Sequence, residues 1–278
     1  MFVCTSNEQC VDGEAIGFCQ PAHVCSFPAG DCPSGQRYGA HAPDALAEAC
    51  VTGDLVSALA ARWGFDEGNG KVARDSSGHG VDAKLEGGAE WVPGVWGSAL
   101  YFDGSGIPVT APGTSTRFGA SSFSGAVWVR GRPQVPQSRI IGRGFDLSGP
   151  GGYIFLNFGD GNPFTEFRDS LSSAWDVQAA DVGLGDDAWH HIGFVLDRSV
   201  GVITIFVDGL RQDERPSESD GVFGDDDTQD EFLIGAQNGN PATAMTGDLD
   251  EIWIYTRALT DEEMAALYQG PGLAHPPP

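Results

Sequence analysis

Trp189-His190-His191-Ile192-Gly193-Phe194-Val195-Leu196-Asp197, then Arg198-Ser199-Val200-Gly201, then Val202-Ile203-Thr204-Ile205-Phe206-Val207-Asp208-Gly209 is the stretch that decides the fold. In the first run His190, Ile192, Phe194 and Leu196 share one face, and in the second Ile203, Ile205 and Val207 do the same. Alternation of this kind, rich in β-branched and aromatic residues, is that of half-buried strands. The link between the runs is hairpin-sized. Working outward, alternation begins at Leu59, Ala61, Trp63 and Phe65, and strand-like runs bounded by Gly, Asp, Asn and Pro recur to about residue 256. The clearest of them span residues 123–130, 153–158, 232–236 and 249–256. With about ten such runs and almost no helical period among them, the expected architecture is an all-β, two-sheet antiparallel sandwich.

One short helix is expected after residue 259. Thr260 can cap it, Glu263 can reach back in a capping box, and Met264, Leu267 and Tyr268 can pack down. The chain then runs through Gly270-Pro271-Gly272 to Pro276-Pro277-Pro278, which reads as a linker-like tail over residues 271–278. At the other end, all six cysteines, Cys4, Cys10, Cys19, Cys25, Cys32 and Cys50, lie within the first fifty residues. That clustering predicts a small disulfide-stapled segment over residues 1–50, made in an oxidising compartment, with the pairing left open. A zinc site is the competing reading, but no C-x-x-C pair occurs and the gaps suit zinc poorly. The main domain is expected over residues 55–270.

Composition narrows the function. Acidic residues number 39 against 15 basic, a formal charge of −24, which repels phosphates and excludes nucleic acid as a natural partner. The same field favours divalent cations and basic surfaces. Nine acids fall between Asp213 and Glu231, and they read as a solvated loop. No apolar run approaches the roughly 20 residues that span a bilayer, so no membrane insertion is expected. Met1-Phe2-Val3 leads into Cys4 without a basic or apolar leader, so no signal peptide is read here and a trimmed, secreted or cell-surface chain is expected.

Several pieces resemble the laminin-G-like jelly roll of the concanavalin A-like lectin and glucanase superfamily. In order they are Trp63-Gly64-Phe65-Asp66-Glu67-Gly68-Asn69-Gly70 with Asp75-Ser76-Ser77-Gly78, Leu100-Tyr101-Phe102-Asp103-Gly104, Trp189-His190-His191-Ile192, Phe206-Val207-Asp208-Gly209, and Gly247-Asp248-Leu249-Asp250-Glu251-Ile252-Trp253-Ile254-Tyr255, followed by Arg257-Ala258-Leu259-Thr260-Asp261-Glu262-Glu263. The cysteine-rich leader, from Cys32-Pro33-Ser34-Gly35-Gln36-Arg37-Tyr38-Gly39 to Cys50, looks like segments that precede such domains in secreted myxobacterial proteins. The resemblance implies a structural calcium between the turn after the first strand and the aspartate of the last, at positions matching Asp66, Glu67, Asp75 and Asp250. Oxygen ligands suit that ion.

No catalytic residue is expected. The E-x-D-x-E strand of the superfamily's glucanases is missing, and Asp248-Leu249-Asp250 gives two same-face acids on a strand that is not the catalytic one. A G-x-S-x-G elbow is missing too. His190 and His191 are neighbours on a strand and face opposite sides, so they cannot chelate one ion together. The best candidates for a ligand platform are Trp175, the loop of Asp160, Asn162 and Phe164, and a second polar loop at Asn238. The expected function is a non-catalytic secreted or cell-surface binding and adhesion module for glycan or a surface protein. The alternatives are a divergent glycoside hydrolase and a self-associating structural subunit.

Overall fold

The computed structural model describes residues 4, 9–13, 15–19, 24–28, 36–43, 46–49, 55, 58–131, 138–143, 152–156, 162–168, 174–216, 231–237 and 241–269. The chain divides into two compact units, residues 1–58 with 260–278, and residues 59–259. The expectation had placed the C-terminal helix in a domain over residues 55–270; by packing, the helix falls in the first unit.

That unit holds five short strands, β1 (Val11–Asp12), β2 (Ala15–Ile16), β3 (Phe18–Cys19), β4 (Cys25–Pro28) and β5 (Gln36–Tyr38). β1 pairs with β2, and β3, β4 and β5 form a second small sheet. Cys19 and Cys25 face each other across the β3–β4 ladder, and each bridges to a different upstream cysteine, Cys4–Cys19 and Cys10–Cys25. Two crosslinks side by side compensate for an interior too small to hold the segment alone. They also explain why the sulfurs of Cys4, Cys10 and Cys25 lie within 4.8 Å of one another without being a metal site. Cys32 and Cys50 lie outside the described residues. Tyr38 packs on Val24, Ala42, Leu46 and Ala49. Burial, and then the charge of Glu263, push its hydroxyl pKa up to about 12. Helix α1 (Asp261–Gln269) opens on the expected capping box, with Glu263 N donating to Thr260 Oγ1 at 3.2 Å and Thr260 N to Glu263 Oε2 at 2.9 Å.

The second unit is the sandwich. Its strands are β6 (Leu59–Trp63), β7 (Val72–Ala73), β8 (Ala83–Leu85), β9 (Ala89–Pro93), β10 (Ser98–Asp103), β11 (Val109–Ala111), β12 (Phe123–Gly131), β13 (Arg139–Arg143), β14 (Gly152–Leu156), β15 (Phe164–Arg168), β16 (Ala174–Gln178), β17 (His190–Asp197), β18 (Val202–Val207), β19 (Leu210–Pro216), β20 (Phe232–Ile234) and β21 (Thr246–Tyr255). The first sheet runs β19-β18-β17-β12-β21-β10-β9, with β6 also on β21; the second runs β16-β15-β14-β13-β20-β11-β8-β7. The deciding stretch forms β17 and β18 in the expected register, Leu196 opposite Ile203 and Ile192 opposite Val207. Asp208 and Gly209 both take positive φ, 50° and 74°, as a tight hairpin demands.

Ring contacts hold the sheets together. Trp63 of the first sheet stacks on Phe232 of the second with centroids 5.2 Å apart, and Phe123 meets Phe167 edge-on at 5.9 Å. Both sites are wholly buried, and the shared core extends through Phe102, Val127, Ile141, Ile205 and Leu249.

Strand β21 organises the first sheet. One side carries β12 along its length; the other carries β10 against residues 246–249 and β6 against residues 252–255. The change of partner coincides with a bulge. Glu251 sits at φ 47°, and the ladder with β12 shifts register between Ala126 and Trp128. Asp250 and Glu251 thereby both leave the core face, while Leu249 and Ile252 on either side stay in the core. Glu251 is fully buried, and Arg62 of β6 meets it with Nη2 3.1 Å from Oε2.

Removing one member of a buried pair strands the other's charge. Arg62→Met is therefore expected to cost about 3–5 kcal/mol in denaturant unfolding, and adding Glu251→Leu to recover most of it. A single change costing under about 1 kcal/mol would show that water reaches Glu251.

Candidate functional site

The face of the first sheet turned away from the core carries two polar constructions along β21. The first surrounds the bulge. Asp250 Oδ2 accepts the amides of Val95 at 2.8 Å and Trp96 at 3.3 Å, and its Oδ1 accepts its neighbour's amide at 2.9 Å. Asp66 Oδ1 accepts the Ser98 amide at 3.4 Å. The loop between β9 and β10 comes this close because its glycines have no side chain. A Cβ on Gly94 would stand 2.4 Å from Asp250 Oδ2, and one on Gly97, at φ 56°, would stand 1.9 Å from Asp66 Oδ1. Burial, then the charges of Glu251 and Asp66, raise the Asp250 pKa well above the carboxylate range, against the pull of the two loop amides.

Of the four expected calcium ligands, Asp66 and Asp250 accept amides in and beside the β9–β10 loop and the other two are engaged in turns; among the described residues no three carboxylates converge as an ion site would need. Glu67 Oε1 accepts the Arg74 amide at 2.7 Å. Asp75 accepts the amides of Arg62, Ser77 and Val81 and the Ser77 hydroxyl. Burial pushes its carboxyl up, but those hydrogen bonds outweigh it and hold the pKa below the ordinary value. Glu251, next to Asp250, is absent from the expected set and pairs with Arg62; nothing in a linear pattern reveals its positive φ.

The second construction is a pocket of about 410 Å³ at the end of the sheet, lined by Tyr101, Arg130, Gly131, Asp187, Thr246, Gly247 and Asp248. Register builds it. Tyr101 of β10 and Arg130 of β12 both lie opposite Asp248 of β21, so three side chains from adjacent strands stand in one row. One step on, Gly131 lies opposite Gly247, where a Cβ on Gly247, at φ 140°, would stand 2.5 Å from the Arg130 carbonyl oxygen. Arg130 Nε donates to Asp248 Oδ2 at 2.8 Å, and its guanidinium lies 4.8 Å over the Trp189 ring. The alternation of the last strand had revealed Asp248; Tyr101, Arg130, Asp187 and Thr246 become neighbours only through pairing between distant segments.

The loop bearing Asp187 is tied down by His190. Its Nδ1 is 2.9 Å from Asp208 Oδ2 and its Nε2 3.2 Å from Asp186 Oδ1. The hydrogen bond to Asp208 is the main reason its pKa is raised, and Asp186 adds to it. His191, on the opposite face, is completely buried beside Trp128 and Trp253 and is pushed down to about 3, hence neutral. The face of the first sheet away from the core thus also buries its side chains.

Of the expected ligand platform, Trp175, Asn162 and Phe164 lie among the described residues. Trp175 is 3% exposed and stacks on Phe167 at 5.5 Å, because β16 alternates Trp175 and Val177 into the core. Asn162 accepts the Val182 amide at 3.1 Å and so braces a loop, and Phe164 is half-buried on β15. Asp160 and Asn238 lie outside the described residues.

The His190 contacts carry a pH signature. A raised folded-state pKa gives stability that is complete below the unfolded value of about 6.5 and is lost as pH climbs through the folded one. Between pH 6 and 9 the melting temperature of the wild type is expected to fall further than that of His190→Gln; parallel curves would remove the histidine from this role.

A family model for the concanavalin A-like lectin/glucanases superfamily, of the laminin G type, matches residues 103–265. No curated protein matches the chain by sequence. Among solved structures, the binding domain of Paraclostridial Mosquitocidal Protein 1 superposes with a TM-score of 0.63 at 18% identity, over 78% of this chain and 53% of that one. Domain 4 of AbnA, an extracellular GH43 arabinanase from Geobacillus stearothermophilus solved with arabinotriose, gives 0.59 at 20%, over 76% and 98%. The botulinum neurotoxin serotype D ligand-binding domain solved with N-acetylneuraminic acid gives 0.60 at 10%, over 77% and 51%. The chain thus spans about half the length of the toxin domains and nearly all of the arabinanase domain. At these identities the likeness concerns fold. The two-sheet sandwich and the family match over residues 103–265 together show that the chain belongs to the laminin G-like group of the concanavalin A-like lectin/glucanases superfamily.

Proposed function

We propose that the chain is a non-catalytic, secreted or cell-surface binding module that recognises glycan through the pocket at the end of its first sheet. The observation that carries this reading is the Arg130–Asp248 pair, fixed against Trp189 beside Tyr101 in a cavity of about 410 Å³. Sugars are held by planar polar groups with fixed donors and acceptors next to an aromatic surface, in cavities of roughly 300–1,000 Å³. Two of the fold neighbours were solved with saccharides, which supports the reading. A glycan is favoured over a surface protein because the site is a concave cavity of about 410 Å³ with a few placed polar groups, the form of a small-ligand site. Catalysis finds little support: a general acid is kept protonated by apolar surroundings, yet Asp248 is ion-paired and Asp187 is exposed. Among the described residues no helix is long and apolar enough to cross a membrane.

We also propose a structural calcium held by Asp66 and Asp250. What supports one is the donor type: Asp250 is buried next to Glu251, and the charge of Asp66 acts on it, so carboxylate oxygens of the kind calcium takes lie in one region, although among the described residues no three acids converge on a point. Calcium takes roughly six to eight oxygens, so backbone carbonyls and water would complete the shell. Its role would be to offset carboxylate repulsion and pin the loop.

On a glycan array the intact protein is expected to bind selectively, with Tyr101→Ala lowering the signal at least tenfold; a blank array would turn the reading toward a protein partner. Millimolar calcium is expected to raise the melting temperature relative to chelator, by about 2.7 kcal/mol of stability at a hundredfold excess over Kd. Asp66→Asn, which keeps an acceptor for Ser98, is expected to abolish that rise. Identical melting curves with calcium and with chelator would dismiss the ion.

A further inference from the structure

We infer that His190 is a positioning residue for the pocket: by gaining and losing a proton it ties and loosens the loop that supplies Asp187, so that a sugar is held more tightly when the imidazole is charged; this rests on reading the pocket as a glycan site. The geometry lies in the segment from Asp186 to His190. These two side chains meet across it, Asp186 Oδ1 standing 3.2 Å from His190 Nε2, and the same Oδ1 accepts the Ala188 amide at 2.9 Å. Between the two tied ends the chain places Asp187, at φ 67°, in the pocket lining, and Trp189 against the guanidinium of Arg130. The contact that closes the loop therefore also fixes part of the pocket.

His190 stands at the head of β17 between two carboxylates, with Nδ1 2.9 Å from Asp208 Oδ2 and Nε2 on Asp186. Only the imidazolium carries a proton on both nitrogens, so only it can donate to both acids at once. The neutral ring keeps one N–H, and the geometry favours leaving it on Asp208. That carboxylate is the nearer and the more enclosed, 33% exposed, and its Oδ1 already accepts the His191 amide at 2.9 Å. Asp186 is 56% exposed and can turn to water. Losing the proton thus releases Asp186, and the loop loses its tie while the end of β17 keeps its own. Among the described residues the charges acting on His190 are those of Asp208 and Asp186; β12 faces it with Val129, and Arg130, the next residue, lies over Trp189. The hydrogen bond to Asp208, and after it the contact with Asp186, outweigh burial and raise the pKa above the ordinary histidine value.

Protonation favours the tied loop, and a sugar lying against it favours the same state, so by linkage each strengthens the other. Affinity is complete below pH of about 6.5 and declines as pH rises through the folded-state value. Titration calorimetry on the whole protein with arabinotriose and lactose, neutral sugars whose own charge does not change, is expected to show affinity falling about fivefold between pH 6 and 9. His190→Gln and Asp186→Asn should both flatten that profile. The second variant keeps the Asp208 contact and an acceptor for the Ala188 amide, so the site stays folded. In carbon-13 NMR spectra the Cα signals of Asp187 and Ala188 should titrate together with the His190 ring, and saturating sugar should raise the pH at which they do so. A binding profile as steep in Asp186→Asn as in the wild type, or Asp187 signals that do not follow the ring, would overturn the inference and leave the glycan reading intact. No binding of either sugar at any pH would count against the glycan reading and remove the inference with it.

Discussion

Everything on the first sheet is arranged around one awkward fact: β21 carries two adjacent carboxylates, Asp250 and Glu251, in its buried middle. A regular strand would send one of them into the core. The left-handed φ of Glu251 prevents this by making a bulge, so both point away and Leu249 and Ile252 remain inside. Two carboxylates side by side then need partners. Arg62 reaches Glu251 from β6, and the amides of Val95 and Trp96 reach Asp250 from the loop before β10. The bulge is also where β21 exchanges β10 for β6 as its neighbour, so strand order, loop placement and charge compensation are a single solution.

The same strand relates the two polar constructions. Asp248, two residues before Asp250, points to the same face but finds a cation, Arg130, instead of backbone amides. That difference decides what each end can do. Asp250 is enclosed and satisfied by backbone, which suits a structural role. Asp248 is half of an ion pair at the mouth of an open cavity, which leaves hydrogen-bonding capacity for a ligand. Rigid strands supply Tyr101, Arg130, Thr246 and Asp248, which are set by register; among the described lining residues Asp187 comes from a loop, which His190 contacts through Asp186 while also holding Asp208. A site composed this way is preorganised on the sheet and adjustable at one edge.

The fold was legible because alternation is local. β17, β18 and the hairpin between them, the Thr260–Glu263 cap and the clustering of cysteines can all be read within a few residues of themselves. The sites were not, for two separate reasons. Trp175 looked like a platform because it is flanked by polar residues, but Val177 and Ala179 alternate with it into the core, and the register with β15 sets it against Phe167. The pocket escaped because its members lie on segments as far apart as Tyr101 and Asp248. Asp66 and Asp250, expected as calcium ligands by family resemblance, hold the β9–β10 loop and the start of β10 through their amides, whereas Glu67 and Asp75 are engaged in turns of their own.

Membership of a superfamily that includes both lectins and glucanases leaves the function to the site, since the same sandwich serves many ends. The decisive local quantity is how far a carboxylate is from charge compensation. Catalytic acids need an apolar surrounding with no fixed cation; the acids of this pocket are ion-paired or exposed. Recognition needs the reverse, charges neutralised before the ligand arrives, so that their hydrogen bonds can be spent on it without a large desolvation cost. Arg130 and Asp248, coupled at 2.8 Å and backed by Trp189, meet that requirement.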